Sequence, residues 1–283
     1  METRTNPYHI INLTPERRVW LSMLDLPRLA HPMYGLLEVD VTAPRRFIAE
    51  HKAHSGESLS FTGYLTRCFA SAIEENKTVQ AYRKGSRQLV QFEDVDVGLM
   101  IERQIGEKRT LSGHVVRNAG HKTYREIHEE IRVAQSAQID QSAEMPQWFR
   151  TAMLLPWPFS ELWKIVLAWF TSRDPTFPVS MAGTVGITAV GMFGKGHSGW
   201  GFEVTRHSLA LVVGSTTWKP VIIHGNTEPR EIQNLTIIFD HDVVDGAPAA
   251  RFTKRLVELI ESGYELDTVV DQCPPGAKVS GHV

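Results

Sequence analysis

The chain has 283 residues, of which 42% are hydrophobic and 22% are charged, a composition typical of a globular protein with a sizeable core. Its formal net charge of -2 and its pI near 6.6 give no electrostatic reason to expect nucleic acid as a partner. The two cysteines, Cys68 and Cys273, lack the spacing of a metal site. They form either one disulfide or, in the simpler interpretation, two free thiols in a reducing cytoplasm.

The amino-terminal part of the chain predicts a strand and then a helix. Residues 1–7 are polar and do not resemble a secretory signal, so a cytoplasmic location is expected. Tyr8–Leu13 predicts a short strand. A helix is predicted from Thr14 to about Leu29, because threonine caps a first turn well and Pro15 suits the first helical position.

The next stretch alternates between strand and helix patterns. Apolar and polar residues alternate over Tyr34–Val41, which predicts a half-buried strand. Apolar residues at helical spacing predict helices, and shorter apolar runs predict strands. The helices are expected at Pro44–His54, Leu59–Asn76 and Tyr124–Gln138, and the strands at Leu89–Glu93, Val95–Glu102 and His114–Arg117. This order predicts a mixed α/β sandwich with helices layered on a sheet.

An apolar segment follows, in which Ser160 is predicted to cap a short helix. The helix is apolar nearly all round and too short to span a bilayer, which needs about 20 residues. Two interpretations are open. We favour burial against the core or a neighbouring subunit over contact with a membrane surface through residues 150–170.

The stretch after this segment is rich in glycine and in strand patterns. Residues 194–199 satisfy Gly-x-Gly-x-x-Gly, but Trp200–Thr205 predicts a strand where a dinucleotide site needs a helix, so a flexible hairpin is expected. Further strands are predicted at Leu209–Ser215, Pro220–His224 and Leu235–Phe239. Asn226 is expected to mark the turn between the last two of them.

His241 stands where the last of these strands gives way to a turn, ahead of a helix predicted at Pro248–Ile260. Histidine accepts and returns a proton near neutral pH, so this position suits a general base. Asp245 and Gly246 complete the pattern His-x-x-x-Asp-Gly. Other histidine pairs, His51 with His54 and His121 with His128, lack a third ligand, so no metal site is predicted.

The His241 pattern resembles the signature of the catalytic domain of 2-oxoacid dehydrogenase acyltransferases and of their relative chloramphenicol acetyltransferase. A second motif, Gly183–Gly191, resembles that family's Gly-Thr-Phe-Thr-Ile-Ser-Asn-Leu-Gly without a gap, and it places Thr188 on the family's serine. The family usually has arginine where this chain has Asp242. That carboxylate would raise the pKa of His241 if it faced inward.

The resemblance implies a chloramphenicol acetyltransferase-like two-layer sandwich that forms trimers and acts on coenzyme A. His241 would be the general base, Thr188 would donate to the oxyanion, and Asp245 would form a structural ion pair with Arg18 or, alternatively, Arg17. It also implies a site shared between subunits, with the histidine from one chain and the hydroxyl from its neighbour.

The expected organisation is an extension over 1–16, a catalytic domain over 17–263 with an apolar insertion at about 140–178, and a tail over 264–283. An extension of this length is too short for a lipoyl domain, so no covalent lipoyl group is expected. The acceptor would then be a lipoylated or acyl-carrier protein in trans, or a small molecule. The alternative function is a non-catalytic scaffold that forms trimers or a larger cage.

Overall fold

The structure is a computed structural model that describes residues 13–14, 17–18, 21, 31–105, 108–136, 151–152, 154–156, 158–189 and 197–268. Its strands are β1 (Pro32–Asp40), β2 (Tyr82–Lys84), β3 (Gln88–Val90), β4 (Val97–Ile105), β5 (Lys108–Val116), β6 (Val185–Ala189), β7 (Leu209–Ile223) and β8 (Asn226–Asp240). Its α-helices are α1 (Thr42–Ser55), α2 (Phe61–Glu75), α3 (Tyr124–Ser136), α4 (Phe159–Arg173), α5 (Thr176–Ala182) and α6 (Gly246–Glu261).

Six strands form one mixed sheet in the order β1-β8-β7-β6-β4-β5, and β2 and β3 form a separate hairpin. The pairs β1 with β8, β7 with β8 and β4 with β5 are antiparallel. Strand β6 is parallel to both of its neighbours, β4 and β7. The mixed sheet of the predicted sandwich is therefore confirmed.

The two faces of the sheet carry different apolar clusters. Leu209 and Leu211 of β7 point into the main core together with apolar residues of α2, α3 and α6, whereas Ala210 and Val212 join Ile238 in a small cluster of their own. Side chains alternate between faces along a strand. The helical layer therefore covers one face of the sheet.

Helix α2 lies at the centre of this layer. The Ser60 hydroxyl accepts a hydrogen bond from the Gly63 backbone N–H at 3.1 Å and so caps the helix. The Tyr64 hydroxyl donates to the carbonyl of Ile260 at 2.6 Å, which joins α2 to the end of α6. Cys68 lies on this helix as a buried free thiol, and Cys273 lies outside the described residues.

The hairpin of β7 and β8 is longer than predicted. Each strand has 15 residues, and an irregular pairing between Val213 and Thr216 bends the ladder without ending it. The turn consists of His224 and Gly225, both with positive φ, and Asn226 already pairs with Ile223. The turn predicted at Asn226 was one residue too late, because two successive residues with positive φ form the type I′ turn of a two-residue hairpin.

Both ends of the predicted catalytic domain carry structural contacts. The Thr14 hydroxyl accepts a hydrogen bond from the Arg17 backbone N–H at 3.3 Å, in agreement with the predicted cap, while the strand predicted at Tyr8–Leu13 lies almost wholly outside the described residues. At the other end Leu266 is buried in the core and Glu265 pairs with Arg67 at 2.6 Å. The packed domain therefore extends past residue 263 into the predicted tail.

Helix α4 has a largely exposed apolar face. It begins at Phe159 with Pro158 at the cap position, so Ser160 is not the cap. Leu167 is buried, but six large apolar side chains are between 47% and 67% exposed: Phe159, Leu162, Ile165, Val166, Trp169 and Phe170. The predicted burial against the core holds for only one side of the helix. Among the helices that the structure describes, none has the length and hydropathy of a membrane span.

Candidate active site

His241 lies directly after β8 and is held there by its backbone. Its N–H donates to the carbonyl of His31 at 2.9 Å, and the preceding Asp240 N–H donates to the carbonyl of Ser208 at 2.8 Å. The imidazole itself is 50% exposed, with Nδ1 4.0 Å from Oδ1 of Asp245. A rigid strand end thus presents a solvent-accessible histidine, which is the arrangement a general base needs.

The carboxyl groups on either side of His241 are engaged elsewhere. Asp242 accepts hydrogen bonds from Nδ1 of His31 at 2.8 Å and from Nη1 of Arg83 at 2.9 Å, and these bonds lower the pKa of its carboxyl. Asp240 accepts from the Asp242 backbone N–H at 3.0 Å, and burial raises the pKa of Asp240. The carboxylate of Asp242 therefore faces His31 and Arg83 and does not point at His241.

The predicted ion pair between Asp245 and Arg18 is not formed within the single chain. The Asp245 side chain is 87% exposed, and it occupies the cap position of α6 without a side-chain capping bond. Arg18 is exposed as well, as is Arg17. The Asp245 carboxylate instead lies beside the imidazole of His241, which precedes it by four residues in the same turn.

Thr188 lies on β6 and is half-buried. Its hydroxyl donates a short hydrogen bond to Oε2 of Glu203, a residue of the irregular segment between β6 and β7. Trp200–Thr205 was predicted to be a strand and forms none, so the sequence pattern gave no sign that Glu203 would reach Thr188. Burial raises the pKa of Glu203.

The polar contacts continue from Glu203 towards His207. The Thr205 side chain hydrogen-bonds to Glu203, and its Oγ1 lies 3.4 Å from Nδ1 of His207. Nε2 of His207 lies 3.2 Å from the Ala182 carbonyl oxygen, which can only accept, so Nε2 carries the proton. Burial lowers the pKa of His207 to about 4. This histidine is therefore neutral near pH 7, and a Cβ on Gly186 would lie 2.6 Å from its Nδ1.

Thr188 and His241 do not meet within one chain. Thr188 pairs with Val212 on β7, which pairs with Thr236 on β8, and His241 lies five residues beyond Thr236. At about 3.3 Å per residue the separation along the strand is about 16 Å, in addition to two strand spacings of about 4.8 Å each. Any site that uses both groups has to combine two copies of the chain.

His51 and His128, one member of each histidine pair considered above, belong to structural contacts. His51 and His128 both lie against the carboxylate of Glu57, at 3.1 and 3.3 Å, and Arg125 donates to the same carboxylate at 2.5 Å. A surface cleft lies beside Glu57 and His128, among the helices and not beside His241. In the part of the chain that the structure describes, no three His, Cys, Asp or Glu side chains form a metal-binding group.

The fold is similar to the folds of solved acyltransferase cores. A probable dihydrolipoamide acetyltransferase from Listeria monocytogenes 4b F2365 matches with a TM-score of 0.60 at 20% identity, over 91% of this chain and 96% of that one. The dihydrolipoamide acetyltransferase of Azotobacter vinelandii matches with a TM-score of 0.59 at 19% identity, over 92% and 97%. The fold is therefore the one that these two acetyltransferase cores have.

Sequence comparison gives the family. Residues 6–147 and 179–266, well over half of the chain, match the 2-oxoacid dehydrogenases acyltransferase (catalytic domain) family, and the chain belongs to it. The acetyltransferase component of the pyruvate dehydrogenase complex from Mycoplasma capricolum is 22% identical over 77% of this chain. The chain spans less than half of the length of the curated relatives it matches. The residues between the two matched parts, 148–178, fall within the predicted insertion and contain α4.

Proposed function

We propose that the chain transfers an acyl group between coenzyme A and a thiol or small-molecule acceptor. Neutral His241 removes the proton from the attacking thiol, and the thiolate attacks the acyl carbonyl. The Thr188 hydroxyl of a neighbouring chain donates to the resulting oxyanion. Collapse of the intermediate expels the leaving thiolate, to which His241 returns the proton.

The half-exposed His241 at the end of β8, with Asp245 four residues later, carries this proposal. In the Azotobacter vinelandii enzyme, a serine, a histidine and an asparagine have been investigated for their role in the catalytic mechanism. Its asparagine follows its histidine by four positions, the spacing of His241 and Asp245. The proposed acyl carrier is a lipoylated or acyl-carrier protein that acts in trans, and the proposed assembly is a trimer.

His241→Ala tests the catalytic proposal. We expect the variant to lose at least about 1,000-fold in acyl transfer, because neither thiol would then have a base to take or return its proton. The assay measures thiol release from acetyl-coenzyme A with dihydrolipoamide as the acceptor. His54→Ala, on the exposed end of α1, is the matched control and should keep the wild-type rate. Equal rates for His241→Ala and the wild type would dismiss the catalytic role.

The exposed face of α4 favours a second function, assembly, in which α4 pairs with α4 of a second copy. Phe159, Leu162, Val166 and Trp169 follow one another at spacings of three and four residues, the pattern of a helix that packs along another helix. An aromatic side chain has about 150–250 Å² of surface, so the exposed parts of the six apolar side chains add up to roughly 600 Å² of accessible surface. This area is close to that of one side of a standard protein–protein interface.

The charges of α4 favour a protein partner over a membrane surface. Lys164 pairs with Glu161 at 3.0 Å, and the guanidinium of Arg173 lies 4.2 Å from the centre of the Trp169 ring. Both cations of the helix therefore already have partners on the helix itself, whereas binding to an anionic membrane depends on basic residues that face the lipid. A second apolar helix can bury the exposed side chains of α4 without any need for free basic residues.

Trp169→Glu tests the assembly function. We expect the wild type to sediment as a larger particle and the variant as a smaller one, because a charge in an apolar helix pair is costly to bury. Val133→Glu, an exposed apolar site on α3, is the matched control and should sediment as the wild type does. Equal masses for wild type and Trp169→Glu would remove the pairing. Flotation of the wild type with phosphatidylserine vesicles, lost in Trp169→Glu, would instead identify a lipid surface as the partner.

A further inference from the structure

The Thr188 hydroxyl is directed at Glu203. The hydroxyl donates its hydrogen to the Glu203 carboxylate, and Thr188 has no second hydrogen to offer. An oxyanion can receive a hydrogen bond from Thr188 only after this bond is released. The segment that carries Glu203 is fixed against the sheet, since the Ser215 N–H donates to the Gly199 carbonyl at 3.1 Å and the Trp200 indole donates to the Leu37 carbonyl at 3.0 Å.

The surroundings of Glu203 favour its neutral form. It accepts hydrogen bonds from the hydroxyls of Thr188 and Thr205, neither of which carries a charge. His207, further along the same segment, faces Thr205 and is neutral near pH 7, so it gives the carboxylate no compensating charge. Arg206 lies between them in sequence, and its charge acts on His207. A half-buried carboxylate takes up a proton more readily than an exposed one.

We propose that Glu203 is a positioning residue for the oxyanion donor and switches Thr188 between two states. The protonated carboxyl donates to Oγ1 of Thr188, and the Thr188 O–H is then free to donate to the oxyanion. The ionised carboxylate accepts the Thr188 hydrogen and places a negative charge close to the developing oxyanion. This inference rests on the proposed function, in which Thr188 is the oxyanion donor.

The two states predict how the rate of acyl transfer depends on pH. The rate falls as pH rises through the pKa of Glu203, which burial raises above its ordinary value. The reason is that the ionised carboxylate accepts the Thr188 hydrogen and withholds it from the oxyanion. The alkaline fall of the rate therefore belongs to Glu203.

Glu203→Gln tests the switch, because an amide can donate to Oγ1 of Thr188 at any pH and does not ionise. We expect its acyl transfer to lose the alkaline fall, so that it exceeds the wild-type rate by up to about 10-fold for each pH unit above the Glu203 pKa. Thr188→Ala should be slow at every pH. The assay is thiol release from acetyl-coenzyme A with dihydrolipoamide, measured from acid to alkaline pH on the full chain.

An infrared titration gives a readout that does not depend on activity. The difference spectrum between wild type and Glu203→Gln should contain the C=O stretch of a protonated carboxyl, which disappears at the pH where the wild-type rate begins to fall. Superimposable pH profiles for Glu203→Gln and wild type, with Thr188→Ala impaired, would overturn the role of Glu203 and leave the proposed function intact. If Thr188→Ala and His241→Ala both match the wild type, the proposed function itself fails.

Discussion

Two inactive variants, His241→Ala and Thr188→Ala, are expected to regain about a quarter of the wild-type acyl transfer when they are unfolded together and reassembled in equal amounts. Each variant alone lacks one group at every site. In a randomly mixed trimer, about one interface in four joins the intact histidine of one chain to the intact hydroxyl of the other. The measurement is thiol release from acetyl-coenzyme A, per chain, before and after mixing.

The reason lies in the register of the sheet. Thr188 lies on β6 opposite Val212, near the start of β7, whereas His241 lies past the end of β8, two strands away and about 16 Å further along. A side chain cannot bridge this separation without moving the sheet. Under the proposed function, an active pair is therefore formed only where the His241 end of one chain meets the Thr188 strand of another.

The control is a chain that carries both substitutions. Mixed with His241→Ala, it supplies no intact histidine and should give no recovery at any ratio. Sedimentation of the mixture shows whether the chains reassemble together. Co-assembled His241→Ala and Thr188→Ala chains without any activity would show that the two groups do not form a site between subunits.

The elements that the sequence predicted well are those whose side chains show a clear period. Alternation over Tyr34–Val41 predicted β1 to within two residues, and the apolar stripe over Leu59–Asn76 predicted α2, because both patterns reflect burial on one side of a single element. The apolar run Leu235–Phe239 likewise placed His241 directly after a strand. These features depend on residues that are close together in the chain, so the sequence alone is enough to predict them.

The features that the sequence did not predict depend on contacts between distant segments. Glu203 reaches Thr188 from an irregular segment whose apolar and polar residues alternate as in a strand, so local pattern was misleading. Asp242 is bound by His31 and Arg83, which are remote in sequence. The ion pair expected between Arg18 and Asp245 rested on the family alone, and the exposed Asp245 carboxylate of the single chain does not form it.

Gly183→Ala is expected to destabilise the fold by about 3–5 kcal/mol, one of the larger effects of a single methyl group in this chain. Gly183 has φ of 91° and ψ of 168°, a conformation that is essentially restricted to glycine. A Cβ there would lie 2.6 Å from the Asp96 carbonyl oxygen and 2.9 Å from the Gly98 nitrogen. Both are backbone atoms of the β4 region, which cannot move aside without breaking its pairing with β6.

Gly225→Ala is the comparison for this loss. Gly225 has φ of 85°, close to that of Gly183, but an added Cβ would meet nothing within 4 Å. A positive φ alone should therefore cost about 1 kcal/mol, and the larger loss at Gly183 reflects its ψ of 168° together with the crowding against Asp96. Denaturant unfolding at one fixed protein concentration gives both values, since assembly makes stability concentration-dependent. Because Gly183 leads into the strand that carries Thr188, equal losses in the two variants would mean that close packing of β6 on β4 does not hold that strand in place.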